Sequence, residues 1–359
     1  MGLALIALGG CNRSSASIAL ATAGPWNEAY GAMNKRGMDL AIAEVNARGG
    51  VRGRQLTLID ENDEGDGAKA AAIAGRFVAN PSIVAVVGHV NSGAMVAAAR
   101  VYDNALPAVS PTATSPDLSG ISPWVFRVIS SDSANGLDMA RFAQNQGFKR
   151  AAILYENNPY GRGLVDAFRR NFRGDIITVD PLADGREADF EPYVAFLKAR
   201  SPDVVFVAGT EGSGIGVLRE ARRQNLQTAF IGGDGWAGVV TDTAASEGVY
   251  VGAPFTATDP REEAQRFVSA FRAKYQMEPD GFAALAYDAT MLLARAVDEA
   301  GPNRKAIRDW LSNLDEGKAF KGVTGSIHFR ESGDVVGKGI VMTRVKKGAL
   351  LVQRDGGRS

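Results

Sequence analysis

The chain has 359 residues, which is long enough for two domains of ordinary size. Lysine plus arginine equals aspartate plus glutamate at 40 each, and this balance argues against nucleic acid or an anionic membrane surface as the main partner. With only two histidines and one cysteine, the sequence can form neither an internal disulfide nor a zinc site of cysteine and histidine ligands.

The amino terminus is a short apolar segment that ends at Cys11. It is too short to span a bilayer, and a polar run follows the cysteine. This pattern resembles a bacterial lipoprotein signal, so residues 1–16 are expected to be a signal and tether, with Cys11 as the lipidated residue. A buried cysteine in an amino-terminal helix is the alternative. The basic start of such signals is missing from the sequence, and the sequence leaves open whether the natural chain begins further upstream.

Strand and helix patterns alternate through the first half of the chain. After a strand and a loop that extends to Tyr30 and Gly31, apolar periodicity predicts the first helix. Strands are predicted at residues 17–23, 56–59, 83–87, 107–110 and 124–128, and helices at residues 33–48, 68–79 and 94–100. This alternation predicts an α/β fold with a parallel sheet covered on both faces.

Residues 83–95 are the most informative stretch of this half. A short apolar strand is followed by a Gly-His-Val-Asn-Ser-Gly turn and an alanine-rich helix, so Ser92 is predicted to be the helix N-cap. Ligands of open α/β sheets bind at the carboxyl ends of the strands, and the free N–H groups of a helix start favour an anion. We therefore expect this turn to hold a carboxylate.

The alternation restarts after residue 132, with Ser133 as a plausible cap of the next helix. Residues 209–214 repeat the Gly-x-x-x-Ser-Gly pattern of residues 88–93, again between a strand and a helix, as two lobes facing a cleft require. Helices are predicted at residues 133–146, 160–172, 190–198, 215–224, 261–275, 282–300 and 305–314, and strands at residues 151–155, 176–179, 204–208, 229–231, 249–251, 325–329, 339–345 and 350–353.

Motifs of enzymes and metal sites are missing from the sequence. No serine lies in a Gly-x-Ser-x-Gly elbow, and neither a phosphate-binding Gly-x-x-x-x-Gly-Lys-Ser/Thr loop nor a His-Glu-x-x-His motif occurs. Residues 60–66 begin like a calcium loop, but the twelfth position is Ala71, which cannot supply the bidentate carboxylate. We expect a solvated turn there, and neither catalysis nor a cofactor or metal.

Polar side chains at strand ends suit a small ligand instead. Ser92, Thr112 and Thr114 follow successive strands of the first half, where hydroxyls and helix-start N–H groups would hold a carboxylate. Asp234 follows a strand of the second half and is a candidate partner for an ammonium group. Caps and turns are the alternative roles of these residues. Three aromatic residues are candidates for the walls of the site, namely Tyr30, Tyr160 and Trp26.

The order of several motifs resembles the leucine/isoleucine/valine-binding proteins, the periplasmic receptors of ABC importers. The resemblance covers most of the chain. It includes Ala-Glu-Val-Asn-Ala-Arg-Gly-Gly-Val-Arg-Gly at residues 43–53, Ser-Pro-Thr-Ala-Thr-Ser-Pro at residues 110–116 and Asn-Pro-Tyr-Gly-Arg-Gly at residues 158–163. Shorter matches lie at residues 23–31, 87–92, 126–132, 189–190, 218–222 and 232–235.

The resemblance implies two Rossmann-like lobes joined by three crossover segments, with the ligand trapped in the cleft. Lobe 1 would comprise residues 17–131 and 256–335, and lobe 2 residues 132–255 and 336–359. The protein would be a monomer, lipid-anchored at the periplasmic or extracellular face, that delivers an amino acid or similar small carboxylate or amide to an ABC permease. A sensor of the same fold, coupled to a regulatory partner, is the alternative function.

Carried over by motif, Ser92 and Thr114 would bind the ligand carboxylate and Asp234 its ammonium. Tyr30 and Tyr160 would cover the ligand.

Three further positions bear on the ligand side chain. Thr210 and Glu211 lie where the second lobe makes a contact, and Glu211 adds a charge near the site. Asn91 stands in a pocket that is often more apolar in the family, and the acid at position 234 is Asp where Glu is commoner. These departures leave room for a polar amino acid or an amide beside a branched aliphatic one.

Overall fold

The computed structural model describes residues 17–183 and 189–353. Cys11 and the predicted signal and tether lie outside the described residues, as does the tail beyond residue 353. None of the helices within the described ranges combines the length and the hydropathy needed to cross a membrane.

The described strands form two large sheets and a two-stranded ribbon. In chain order they are β1 (Ile18–Gly24), β2 (Leu56–Asn62), β3 (Ile83–Gly88), β4 (Ala108–Ser110), β5 (Val125–Arg127), β6 (Arg150–Glu156), β7 (Asp175–Leu182), β8 (Val204–Ala208), β9 (Ala229–Gly232), β10 (Tyr250–Ala253), β11 (Phe320–Gly322), β12 (Gly325–Ile327), β13 (Val341–Lys346) and β14 (Ala349–Val352).

Helices connect most of these strands and cover the sheets. They are α1 (Ala29–Ala47), α2 (Gly67–Ala79), α3 (Ser92–Tyr102), α4 (Asp132–Asn145), α5 (Pro159–Asn171), α6 (Glu191–Arg200), α7 (Glu211–Arg223), α8 (Thr243–Ser246), α9 (Glu262–Tyr275), α10 (Gly281–Ala300) and α11 (Arg304–Ser312).

The first sheet is the centre of lobe 1. Its strand order is β2-β1-β3-β4-β5 and every pair is parallel. β1, β3, β4 and β5 are buried along their whole length, as expected for strands that helices cover on both faces. α10 returns to this sheet from late in the chain, packs along α1 and places Leu285 and Leu292 in the same core as Leu20.

The second sheet is the centre of lobe 2, with the order β14-β13-β10-β9-β8-β6-β7. Its five strands from β6 to β10 pair in parallel, while β13 and β14 add an antiparallel edge. The chain passes between the sheets three times, after β5, after β10 and before β13. The two-lobed α/β prediction is confirmed, and the lobe boundaries near residues 131, 255 and 335 stay a prediction.

Two helix starts differ from the sequence prediction. α1 begins earlier, so Tyr30 lies in a helix and the predicted loop there is wrong. Gly31 does not break this helix; it allows a close approach, because a Cβ on Gly31 would lie 2.0 Å from the carbonyl oxygen of Pro25. The predicted Ser133 cap is also wrong, because Ser131 precedes α4 and its side chain accepts a hydrogen bond from the Ser133 N–H at 3.4 Å.

Candidate functional site

A cavity of about 290 Å³ lies between the lobes. It is at the carboxyl ends of the parallel strands, where open α/β sheets bind ligands. Lobe 1 lines it with residues 65–67, residues 90–93, Tyr30, Thr112 and Phe282, and lobe 2 with residues 158–160, Thr210, Asp234 and Gly235. Seven of the nine predicted ligand residues therefore line one cavity; Thr114 and Glu211 do not.

The start of α3 forms the lobe 1 wall. Asn91 is the N-cap residue and makes no side-chain cap, so the prediction that Ser92 caps this helix is wrong. The Ser92 Oγ instead accepts hydrogen bonds from the N–H groups of Thr114 at 3.2 Å and Ser115 at 3.1 Å. Because a hydroxyl has two acceptor sites and one donor, Ser92 keeps only its proton for a partner in the cavity.

The two threonines behind this wall differ in their hydrogen bonds. Thr112 lines the cavity, and its hydroxyl donates to the carbonyl oxygen of Val90 at 3.1 Å. Thr114 is fully buried, and its hydroxyl has no hydrogen-bond partner within the described residues. Their roles toward a ligand stay predictions.

Asp234 and Tyr160 form the opposite, lobe 2 wall. The Tyr160 hydroxyl donates to Oδ1 of Asp234 at 3.2 Å and accepts from the N–H of Gly235 at 3.1 Å. Burial raises the pKa of Asp234 to about 6, although hydrogen bonds from its own N–H, the Tyr160 hydroxyl and the Gly235 N–H oppose the rise. Burial also raises the pKa of Tyr160 well above its usual range, so the phenol stays protonated. The wall offers a buried acceptor that forms no ion pair within the described part of the chain.

Aromatic and amide groups line the third side. The Asn91 amide donates to the Tyr30 hydroxyl at 2.9 Å, while its own Oδ1 is buried and has no hydrogen-bond partner among residues 17–183 and 189–353. Tyr30 packs against Phe282 with ring centroids 5.7 Å apart, and burial raises the pKa of Tyr30 to about 12. Trp26, a candidate wall residue from the sequence, is not among the lining residues and packs against the lobe 1 core.

The second Gly-x-x-x-Ser-Gly turn, residues 209–214, already holds a carboxylate of the protein. Oε1 of Glu156 accepts from the Thr210 N–H at 2.8 Å, the Thr210 hydroxyl at 2.7 Å and the Ser213 hydroxyl at 2.8 Å. Glu211, the first residue of α7, points its carboxylate toward Gly238, and burial and the charge of Glu28 raise its pKa. Glu156 is a site residue that the sequence analysis missed.

The acidic stretch at residues 60–66 ends in a largely exposed turn after β2, as predicted, with Asp63 as the exception. Asp63 is fully buried, and its Oδ2 lies 2.6 Å from Nδ1 of His89, whose Nε2 lies 3.0 Å from the Tyr102 hydroxyl. Asp63 also accepts from the Gly65 N–H at 2.8 Å. This network fixes two cavity-lining turns, residues 65–67 and 90–93, against each other.

Asp132 is a second residue that the sequence analysis gave no role. It is the first residue of α4 and is fully buried, and neither carboxylate oxygen has a hydrogen-bond partner within the described residues. Burial and the charge of Asp234 raise its pKa well above the usual range, against smaller opposing effects of Thr114 and Arg127. In the described part of the chain, no cluster of His, Cys, Asp and Glu could hold a metal ion.

The chain is similar to binding proteins along almost its whole length. The periplasmic binding protein family matches residues 19–349. The Leu/Ile/Val-binding protein homolog 1 of Brucella abortus is 30% identical over 357 residues, which are 96% of this chain and 94% of that protein. An amino acid binding protein of Pseudomonas aeruginosa is 31% identical over 316 residues, 83% of each chain.

Two solved structures have the same fold with an amino acid bound. The branched-chain amino acid transporter substrate binding protein LivJ from Streptococcus pneumoniae, in complex with isoleucine, superposes with a TM-score of 0.87 at 29% identity and covers 94% of this chain and 99% of its own. An ABC transporter substrate-binding protein from Desulfitobacterium hafniense, in complex with Leu, superposes with a TM-score of 0.81 at 33% identity. The match covers 94% of this chain and 100% of that chain.

Proposed function

Because this chain belongs to the periplasmic binding protein family, we propose that it captures an amino acid between its two lobes and delivers it to an ABC importer. The chemistry of the cavity supports this proposal. Ser92 can only donate and lies at a helix start, which suits a carboxylate, whereas Asp234 on the opposite wall can accept from an ammonium. The observation that carries the proposal is this pairing of a donor-only wall with an acceptor wall.

The position of these walls on different lobes supports capture by closure. A ligand shifts a conformational equilibrium only by its differential affinity for the two states. A zwitterion that contacts Ser92 on lobe 1 and Asp234 on lobe 2 makes both contacts only when the lobes are together. In this structure Gly93 of lobe 1 already lies close to Pro159 of lobe 2, since a Cβ on Gly93 would be 3.5 Å from the proline ring.

The proposal is tested with three ligands that differ by one charged group each. L-Leucine, 3-methylbutan-1-amine and 4-methylpentanoate share one apolar side chain, and the last two lack the carboxylate or the ammonium. A thermal-shift screen of the amino acids, including glutamine and asparagine, should first identify the ligands that bind. Calorimetry should then show that either deletion abolishes measurable affinity. Equal binding of leucine and 4-methylpentanoate would show instead a receptor for simple organic acids.

A variant of the acceptor wall gives an independent test. Asp234→Asn keeps the size of the side chain and removes its charge, so affinity for an amino acid should fall by about 2–5 kcal/mol. Asp242→Asn, at a partly exposed, ion-paired residue away from the cavity, is the control and should bind as the wild type does. Unchanged affinity in Asp234→Asn would remove the ammonium assignment.

We also propose that the protein is a monomer held at the extracytoplasmic membrane face by lipid on Cys11, close to its permease. Family membership and the lipobox-like sequence before Cys11 support this location. Cys11→Ser should move the full-length protein from the membrane fraction to the soluble extracytoplasmic fraction, without changing amino-acid affinity. If Cys11→Ser stays with the membrane, the anchor is elsewhere.

A further inference from the structure

The third side of the cavity contains a polar pair that the proposed carboxylate and ammonium contacts do not use. Asn91 and Tyr30 both line the cavity, and the Asn91 amide donates to the Tyr30 hydroxyl at 2.9 Å. The Asn91 Oδ1 is buried, and the described residues supply no hydrogen-bond partner for it. A buried polar atom without a partner is rare and costly. A ligand atom that completes the pair would remove this cost.

The pair offers one donor and one acceptor to the cavity. Within the described ranges the Tyr30 hydroxyl makes one hydrogen bond, which it accepts from Asn91, so its proton is left for a ligand. Burial raises the pKa of Tyr30 to about 12, which keeps this proton in place at neutral pH. Turning the Asn91 amide over exchanges the roles, because the phenol then donates to Oδ1 and leaves Nδ2 as the donor and its own oxygen as the acceptor. Either orientation leaves a donor beside an acceptor.

Both members of the pair are held in place by the protein. The ring of Tyr30 packs against Phe282 with the centroids 5.7 Å apart. Asn91 is the N-cap residue of α3, and its carbonyl oxygen accepts from the Met95 N–H at 2.8 Å. Gly65 borders the amide, since a Cβ there would lie 3.5 Å from Nδ2 of Asn91. The pair is therefore preorganised for a ligand group that matches it.

A primary carboxamide matches this pair better than other side-chain groups do. Its carbonyl oxygen accepts while its NH2 group donates, and both atoms are attached to one carbon. A carboxylate has no proton to donate, and Asp66, which also lines the cavity, repels it. An ammonium cannot accept, and an aliphatic chain leaves both Asn91 and Tyr30 unpaired, which a site built for hydrogen bonds rejects.

We propose that the Asn91–Tyr30 pair is the subsite for the side chain of the ligand and that this side chain carries a primary carboxamide, as in asparagine or glutamine. The inference rests on the proposed function, because the carboxamide belongs to an amino acid held by Ser92 and Asp234. The ligand class therefore differs from the isoleucine and Leu bound in the two solved structures.

The first experiment compares ligands of nearly the same shape. L-Asparagine and L-leucine differ in a carboxamide against an isopropyl group, as do L-glutamine and L-homoleucine. Calorimetry on the wild type should give at least one carboxamide an affinity about thirtyfold above that of its hydrocarbon counterpart, because two hydrogen bonds are gained. If both carboxamides bind no better than their counterparts, the proposal is overturned, while capture of apolar amino acids stands.

The second experiment removes one member of the pair. Tyr30→Phe deletes the hydroxyl and keeps the ring that packs on Phe282, so the ratio of carboxamide to hydrocarbon affinity should fall about fivefold. Tyr275→Phe deletes a hydroxyl that donates to the Arg36 carbonyl oxygen away from the cavity, and it should keep the wild-type ratio. Equal losses for both ligands in Tyr30→Phe would show a structural role only and would contradict the proposal.

Ligands without amino-acid groups separate a failure of this inference from a failure of the proposed function. Propanamide and butanone differ only in an NH2 against a methyl group. Propanamide should raise the Tm of the wild type more than butanone does at equal concentration, and Tyr30→Phe should remove the difference. If propanamide has this effect but no amino acid binds, the proposed function fails and the carboxamide subsite stands. If leucine binds and propanamide acts as butanone does, the subsite fails and the capture of amino acids stands.

Discussion

The two turns that share the Gly-x-x-x-Ser-Gly pattern hold different anions. In lobe 1, residues 88–93 lead into α3, and Ser92 offers its proton and the helix start to the cavity. In lobe 2, residues 209–214 lead into α7, where Glu156 already accepts from Thr210 and Ser213. One local pattern therefore builds two helix starts suited to an anion, of which one is left for the solute.

This difference favours one orientation of a zwitterion in the cleft. If both helix starts were open, the carboxylate of a zwitterion would find similar donors on either lobe. Glu156 fills the lobe 2 turn and adds negative charge there, which repels a second carboxylate. Asp234 lies on the same lobe and attracts a cation. On the proposed function, the ligand carboxylate faces lobe 1 and the ammonium faces lobe 2.

The largest expected effect is on stability, and it follows from removing the Glu156 carboxylate from residues 209–214, the filled turn. Glu156→Ala removes the acceptor of four donors, because Oε2 of Glu156 also accepts from the Asn158 amide at 3.0 Å. The Ser213 hydroxyl keeps a second acceptor, the Thr210 carbonyl oxygen at 3.0 Å, whereas the N–H and hydroxyl of Thr210 lose theirs. The free energy of unfolding should therefore fall by about 3 kcal/mol. Urea unfolding measures this loss. Added acetate should restore part of it by entering the vacant helix start.

The control for Glu156→Ala is an exposed glutamate. Glu191→Ala breaks an ion pair with Arg223 whose two side chains are 64% and 60% exposed, so its effect should stay within about 0.5 kcal/mol. A Glu156→Ala protein as stable as the wild type would mean that the lobe 2 turn needs no anion.

The next effect concerns the open turn. Ser92→Ala deletes the donor at the cavity, and affinity for the amino acid should fall by about 2 kcal/mol, or roughly thirtyfold. Ser213→Ala makes the same change in the filled turn and should alter affinity by less than about threefold. Calorimetry on the two variants tests the comparison directly, and equal losses would contradict it.

The open turn, residues 88–93, was predicted better than the filled turn, residues 209–214. Its geometry depends only on residues that are neighbours in the chain. A strand, a glycine-bounded turn and a helix place Ser92 at the sheet edge whatever the rest of the chain does. Glu156 meets Thr210 across 54 positions, and Asp63 meets His89 across 26. Such contacts depend on how strands and loops are packed, which residue spacing does not show.

The burial of Asp63, within the otherwise exposed stretch 60–66, was missed for the same reason. An acidic run after a strand is usually solvated, and nothing in its own order shows that one member, Asp63, turns inward to His89. Likewise, the Gly31 position resembled a loop because glycine disfavours helices, although here it permits contact with Pro25. Local propensity gave way to tertiary packing in both places.

A smaller effect on the free energy of unfolding is expected for Asp234, the acceptor residue of the lobe 2 wall, in the absence of ligand. The folded pKa of Asp234, about 6, lies above its unfolded value, so its contribution to stability is present below pH 4 and is lost as the pH rises through 6. The rise in the pKa of Asp234 from 3.8 to about 6 corresponds to about 3 kcal/mol at pH 8. Because a neutral amide accepts the Tyr160 hydrogen bond more weakly than a carboxylate does, Asp234→Asn should be more stable than ligand-free wild type at pH 8 by about 1–2 kcal/mol, and not at pH 4. Urea unfolding at the two pH values measures the difference. A constant difference would show that the cause is not ionisation.

The smallest effect concerns the ligand side chain. Asn91→Leu replaces an amide whose buried oxygen has no partner within the described residues. The affinity for leucine relative to that for glutamine should therefore rise by up to about 1 kcal/mol, or roughly fivefold. Competition binding with the two amino acids measures this ratio. An unchanged ratio would place the ligand side chain away from Asn91.

The most direct test of the central claim is a crystal structure with a bound amino acid. The account predicts the ligand carboxylate within hydrogen-bonding distance of the Ser92 hydroxyl and the first N–H groups of α3, with the ammonium against Asp234. Glu156 should remain bonded to Thr210 and Ser213 as it is in this structure. A ligand in the reverse orientation, with its carboxylate at the start of α7 and Glu156 displaced, would contradict the account.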